Sequence, residues 1–600
     1  MGALALWLMP CTVIFEWVGG TFYKAVPVRI AYLGLFLGLY WLSSLRTEPE
    51  PRRVRWGLGI GALVVGAAIA TYALWWLLGP RLGWPPQARS SWFDREPSKL
   101  LLPLLAAWPL AVGCELIAGG GVGPRAYQRL GAFLALGFLL HFAAHVHVQG
   151  LPVSIETPWL WALVAIMLAL ALVTRGSFGV RLLALLCAGF ALRMLGIAVW
   201  EIDPRVRDML ALVHSAQDRF AHGENPYATP YAMQLGSVLP LTYLPGLWLG
   251  YGVPRLLGLD LRVLGPCLEL LLFAGMARVT LRIEPGKRAW AEALVFTFAA
   301  VWLFSPSVQW NVIYAEPSAW WCLLGATLLF SFAGPYWLGA LLLGLSVATR
   351  HFALVLAPFV LLYFVRVRGL RGSLPLLAIA GGTAGGLLFS FAVGAPELFW
   401  FGTLRWLREY GPVHLSWFLD RFGFLSLFVE RDALGLLPYV QAGLVLACLV
   451  GAWFSRAARA APFAATASLL FIMFNVLIWD SFLLDGAMAA AALLVTGPLR
   501  AESEREEPTS RAFYVSLSVL VLTALAGGYL VFTLITTLHP AGRAAAHDFL
   551  VDAVRPGDRV IDRSDRRIAF IEGRWLLRRE EVPAPIGGDF FDPAWGGDSA

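Results

Sequence analysis

A polar island, Glu201 to Gly236, interrupts an otherwise apolar sequence: EIDPRVRDMLALVHSAQDRFAHGENPYATPYAMQLG. Carboxylates, arginines, histidines and turn residues crowd into it, while the chain as a whole is 58% hydrophobic and only 14% charged. A carboxylate beside a hydroxyl can take its proton, and a cation beside a phosphate can stabilise charge growing there. Arg350-His351, set between two apolar runs, is a second polar point. Other candidate groups are weaker. His141, His145 and His147 include an H-x-x-x-H pair that could ligate a metal. A histidine-box enzyme needs further such clusters, and histidines near the outer end of a span are commonly interfacial. The cysteines Cys11, Cys114, Cys187, Cys267, Cys322 and Cys448 are scattered through apolar segments. Their spacing suggests neither a metal clip nor a disulfide framework.

The elements that must position these groups are helices in a membrane. Apolar runs of about 17–25 residues recur along the chain, each matching the thickness of a bilayer. Alternating short segments of a transmembrane β-barrel are not seen. The expected fold is therefore an all-α polytopic membrane protein. The chain begins apolar, its first basic residue is Lys24, and it lacks the basic start of a cleaved signal peptide. The net charge of +7 sits mostly on arginines in short loops, where it sets topology and requires no nucleic-acid partner.

Arginine placement gives an orientation. Arg46, Arg52, Arg53 and Arg55 form one basic loop, followed by Arg125 and Arg129, then Arg175 and Arg181. With Arg366, Arg368, Arg371, Arg456 and Arg459, they belong on the cytoplasmic side. The run 182–200 then exits, so the island 201–236 faces outward, as do 395–432 and the chain after 538. One conflict follows. An even number of apolar runs separates the island from Arg366, whereas sidedness needs an odd number of crossings. The stretch Tyr336–Phe364, interrupted at Arg350-His351, is the expected place for a broken span. The organisation read from the chain is N-terminal transmembrane helices over 1–180, a core over 181–538 and a small extracytoplasmic tail over 539–600. The tail, with its turn at Pro556-Gly557, reads as a small helix and short strands.

Within the island, Asp203-Pro204 reads as a helix start, an N-cap followed by a first-turn proline. Met209, Leu212, Val213, Ala216 and Phe220 share one face, and Gln217, Asp218 and Arg219 lie away from it. That pattern predicts a short amphipathic helix on the membrane surface, ended by Gly223. Asn225-Pro226-Tyr227 makes a turn, and LPLTYLPGLW opens the next apolar run.

This order of features resembles the integral-membrane glycosyltransferases of the GT-C class, and among them the bacterial polyprenol-phosphate-mannose-dependent mannosyltransferases. The matching residues are Asp208 soon after a span, then Gly223, Asn225-Pro226-Tyr227 and Tyr243-Leu244-Pro245. SPSVQWNVIYAEP and GLSVATRHFALVLAPFVLLY resemble two later family segments, so the likeness covers roughly 182–400. Leu212 and Val213 stand where the family usually has an aromatic residue after the acid, and more spans precede the core than the class requires.

The resemblance implies a GT-C-like bundle in the bacterial inner membrane, with its site facing outward. It implies transfer of a hexose, mannose by the likeness, from a polyprenyl-phosphate donor to a lipid or glycan acceptor, with inversion. Asp208 is the implied base, Arg350 and His351 the donor-phosphate contacts. Asp203, Asn225, Tyr227, Tyr243 and Glu316 are candidate acceptor- or substrate-binding groups; no cofactor, metal or nucleic acid is implied. Each assignment has a plainer rival. Asp203 reads first as a helix cap, Asp208 as a partner of Arg205 or Arg207, Arg350 as a cytoplasmic anchor and Glu316 as a helix cap. Asp480 and Asp485 read as solvated residues of a short outward turn. A transporter or lipid flippase would show inverted repeats and paired broken helices, and no such repeat is evident. A non-catalytic assembly subunit is compatible with the same sequence.

Overall fold

The computed structural model describes residues 26–43, 177–200, 208–232, 238–313, 318–405, 436–475 and 482–503. It adds isolated positions between 124 and 164, residues 424 and 428, and two three-residue strands between 569 and 576. Most of the regions 1–180 and 539–600, including His141, His145 and His147, lies outside the described residues, as do Asp203 and Glu316. In the tail, β3 (Ala569–Ile571) and β4 (Arg574–Leu576) pair antiparallel.

The described chain is a helical bundle. Its main helices are α1 (Val26–Leu42), α2 (Phe178–Val199), α3 (Asp208–Ala221), α4 (Pro245–Leu256), α5 (Leu264–Thr280) and α6 (Pro285–Phe304). They continue with α7 (Pro306–Ile313), α8 (Ser318–Ala333), α9 (Tyr336–Thr349), α10 (Ala353–Ala392) and α11 (Pro396–Trp400). The last are α12 (Leu437–Phe454), α13 (Ala460–Met473) and α14 (Phe482–Ser503). Four helical segments, Phe178–Val199, Leu261–Thr280, Ala353–Ala392 and Leu437–Phe454, are long and apolar enough to cross a membrane. The two-residue strands β1 (Tyr231–Ala232) and β2 (Val238–Leu239) close the island antiparallel.

Helix α10 is a hairpin of two helices. Gly369 breaks it with φ 71° and ψ 168°, a conformation that favours glycine. A straight helix of 40 residues would separate its ends by about 60 Å. Here both ends meet the short helix α4. Gly246 abuts Thr349, just before the N-terminus of α10, and Trp248 packs edge-on against Phe391 near its C-terminus, centroids 5.0 Å apart. The Gly369 turn instead lies with Arg366, which donates to Ala452 O at 3.0 Å and Ser455 O at 2.7 Å, and with Arg368 over the Tyr336 ring.

Two ends of the bundle can be followed on these contacts. One gathers Trp200, the island, Leu261, Ile313, Ser318, Arg350 and Phe391; the other gathers Arg181, Arg282, Arg288, Tyr336, Arg366, Arg456 and Arg500. From the island, α5 runs away, α6 returns, α8 runs away, α9 returns and the first half of α10 runs away. An odd number of helix runs thus connects the island end to the Gly369 turn. Helix α4 begins and ends at the island end. Twelve residues span about 18 Å, too little for a hydrocarbon core of about 30 Å. Within the stretch Tyr336–Phe364, Arg350–Phe352 is a turn between two helices of opposite direction, and α4 in the run near 237–251 stays at the island end.

Guanidinium groups close several helix ends. The last carbonyls of a helix have no partner within it, and an apolar bundle offers little water to replace one. Arg262 donates to Trp200 O at 2.6 Å, Ile197 O at 3.0 Å and Ile313 O at 3.3 Å, so one side chain serves the ends of α2 and α7. Arg282 serves Ala333 and Gly334 at the end of α8, and Arg366 the end of α12. These are arginine positions fixed by packing as well as by topology.

Candidate functional site

The described part of the island, residues 208–232, is packed against the bundle. Met209, Leu212, Val213 and Ala216 of α3 are buried with Leu247, Trp248 and Tyr251 of α4 and with Phe391 of α10. The amphipathic helix therefore turns its apolar face to protein, where the sequence suggested a membrane surface. Phe220 completes the contact with Trp248 at 5.4 Å while half-exposed. Gln217, expected to lie away from this face, is buried and donates to Trp248 O at 2.8 Å. Gly223 ends the helix at φ +79°, as its type suggests.

The turn after it is stapled from both sides. Asn225 Oδ1 accepts from Tyr227 N at 3.0 Å, and its amide donates to Phe391 O at 2.9 Å. The Tyr227 hydroxyl donates to Tyr243 O at 2.7 Å and accepts from Trp248 Nε1 at 3.2 Å. Burial raises the Tyr227 phenol well above its ordinary range, against a smaller opposing effect of the Trp248 hydrogen bond, so it stays a neutral donor. Asn225, Tyr227 and Tyr243 thus meet in one place: Asn225 ties the loop to the end of α10, and Tyr227 ties it to Tyr243 and α4. Asp208 is the first residue of α3, which fixes its backbone at the island; its side chain lies outside the described residues.

On the outer side of α3, Asp218 accepts from Arg255 and pairs with His214 Nδ1 at 3.0 Å. The Arg255 hydrogen bond is the largest of the effects that hold the Asp218 carboxyl below its ordinary 3.8. Its contribution to stability is then present above that value and fades as pH falls through the lowered one. Asp218→Asn is expected to flatten the acid limb of the thermal midpoint below the ordinary carboxylate value of 3.8. An unchanged acid limb would show that this group does not couple to folding.

Arg350 and His351 stand at the same end of the bundle as the island. Arg350 takes extended backbone as the C-cap of α9, and its N–H donates to Ser346 O at 2.9 Å. Its guanidinium lies 5.8 Å from the centre of the Trp320 ring. Tyr251, which Ser318 adjoins, lies within reach of its charge. The His351 residue is partly exposed, but its Nε2 is enclosed and has no hydrogen-bond partner among the described residues. Burial, and then the Arg350 charge, push this imidazole down to about 4, so it is neutral at pH 7 and can donate one N–H. Gly246 seats this turn. A Cβ there would lie 2.6 Å from Thr349 Oγ1 and 2.8 Å from the Ala348 carbonyl. Gly246→Ala is expected to cost about 1–3 kcal/mol and to displace Arg350. The checks are the melting midpoint and the accessibility of a cysteine placed at 350.

Two polar groupings were missed by the sequence reading. Asp485, expected in solvent, is 2% exposed and accepts from Trp320 Nε1 at 2.9 Å. Arg193, Glu269 and Gln309 form a wholly buried network between α2, α5 and α7. Charges inside the apolar runs 182–200 and 263–281 were the available signal, because an ionisable side chain at membrane depth needs a partner. No group of three or more candidate metal ligands occurs among the described residues. No protein-family model, curated protein or solved structure matches this chain.

Proposed function

We propose that the chain is a polyprenyl-phosphate-sugar-dependent glycosyltransferase working at the island end of the bundle. The observation that carries this reading is the shared location of Arg350-His351 and the island, which are more than a hundred residues apart in sequence. Arg181, Arg282, Lys287, Arg288, Arg366, Arg368 and Arg456 gather at the opposite end, and by the positive-inside rule that end is cytoplasmic. The island end then faces outward, where a lipid-borne donor and an extracytoplasmic acceptor can meet.

In the proposed reaction an acceptor hydroxyl gives its proton to the Asp208 carboxylate as its oxygen bonds to the anomeric carbon. The bond from that carbon to the phosphate oxygen breaks, and the electron pair leaves with the polyprenyl phosphate. One displacement gives inversion. Arg350 offsets the charge growing on phosphate, and neutral His351 donates a hydrogen bond to it. Asn225, Tyr227 and Tyr243 hold the loop against the bundle, and Asp203 and Glu316 are assigned to the acceptor. The test is transfer of labelled mannose from polyprenyl-phosphate mannose by the full chain in lipid nanodiscs supplied with cell-envelope lipid and glycan acceptors. Arg350→Gln is expected to slow transfer by about 100-fold or more. A wild-type protein that leaves the donor intact would remove the reading.

A further inference from the structure

Three helices distant in sequence bring Trp320, Arg350 and Asp485 to one point. Trp320 lies on α8, Arg350 closes α9, and Asp485 is in the first turn of α14. The Asp485 carboxylate is 2% exposed. Oδ2 accepts from the Trp320 indole at 2.9 Å, the Trp321 side chain also acts on the carboxylate, and Oδ1 has no hydrogen-bond partner among the described residues. Such a carboxylate in an apolar bundle is costly unless a cation compensates it. Arg350, whose guanidinium lies 5.8 Å from the centre of the same indole, is a cation whose charge acts on it. Tyr40 of α1 seals the other side, its hydroxyl donating to Gly486 O at 3.2 Å.

We propose that Asp485 is a positioning residue, which holds the Arg350 guanidinium in place through its charge and through the Trp320 indole that both groups share. The carboxylate limits where the guanidinium can swing and offsets part of its charge. A phosphate placed against Arg350 would therefore be bound less tightly, but in a fixed position. The pairing itself stands on the contacts above; its consequence for phosphate rests on the proposed function.

Asp485→Asn is the informative change, because asparagine keeps an oxygen for the Trp320 N–H and removes the charge. With geranyl phosphate as the probe, Asp485→Asn is expected to tighten binding to the full-length protein by about fivefold. In the Arg350→Gln background it should change nothing. In the transfer assay the same substitution should lower both KM and kcat, a split that a merely structural loss would not produce. Equal effects on the probe in both backgrounds would overturn the proposal, as would no effect in wild type. Melting midpoints without ligand give an independent arm. Asp485→Asn and Arg350→Gln should each lower the midpoint, and the double variant should lose clearly less than their sum. If Asp485→Asn alone does not fold, adding Arg350→Gln should restore folded protein. Additive loss, or no rescue, would overturn the pairing. Non-additive midpoints without any binding of geranyl phosphate would keep the pairing and remove Arg350 as the phosphate contact.

Discussion

Asp208→Asn is expected to cut sugar transfer by about 100- to 10,000-fold, the range for losing a general base. The fold should be nearly unaffected. Asp208 opens α3, and asparagine also suits a helix N-terminus. The apolar face that seats the helix starts one residue later, at Met209, and continues through Leu212, Val213 and Ala216. The melting midpoint and folded yield of the variant should therefore stay near wild type while labelled mannose remains on its donor. Transfer at an undiminished rate would remove Asp208 as the base and shift attention to another carboxylate of the island.

The largest effect on stability is expected at Arg193 and Glu269. Their side chains are 0% and 1% exposed, with Nε to Oε2 at 3.1 Å and Nη2 to Oε1 at 3.3 Å. Trp302 Nε1 donates to Oε1 at 2.8 Å, Arg193 reaches Trp302 O at 3.1 Å, and Gln309 Nε2 reaches Leu192 O at 3.0 Å. Breaking a buried pair from one side leaves an uncompensated charge, at a cost of about 3–5 kcal/mol. Arg193→Met or Glu269→Leu alone should therefore sharply reduce the protein recovered folded from membranes. Replacing both by apolar residues removes the charge along with its partner, and the double variant should recover most of the loss. A double variant no better than the worse single one would contradict this role.

Local features of the island were legible in the sequence because their causes are local. Gly223 ends α3 through its own backbone freedom, and Asn225 shapes its turn through a bond two residues away. The apolar stripe of α3 was equally plain, but not what would cover it: Trp248 and Phe391 arrive from other helices. Gln217 was misplaced for the same reason, since its partner is the Trp248 carbonyl. The helix boundaries behind the crossing conflict were less plain in hydropathy. The run near 237–251 merges apolar loop residues with a helix of 12 residues, so it looked like a span. Asp485 was read as solvated because its hydrogen-bond donor, Trp320, lies 165 residues away in sequence. Arg193 and Glu269 were missed, although they are charges in apolar runs; their pairing across 76 residues is a property of the packed bundle.

Single cysteines placed at Glu224 in the island and at Lys287 at the arginine-rich end, in a cysteine-free background, give the most direct test of where the chemistry is held. A membrane-impermeant maleimide added to intact cells should label the cysteine at 224, and should reach that at 287 only after the membrane is opened. Labelling of 287 but not 224 in intact cells would place the island in the cytosol and contradict transfer at the outer face.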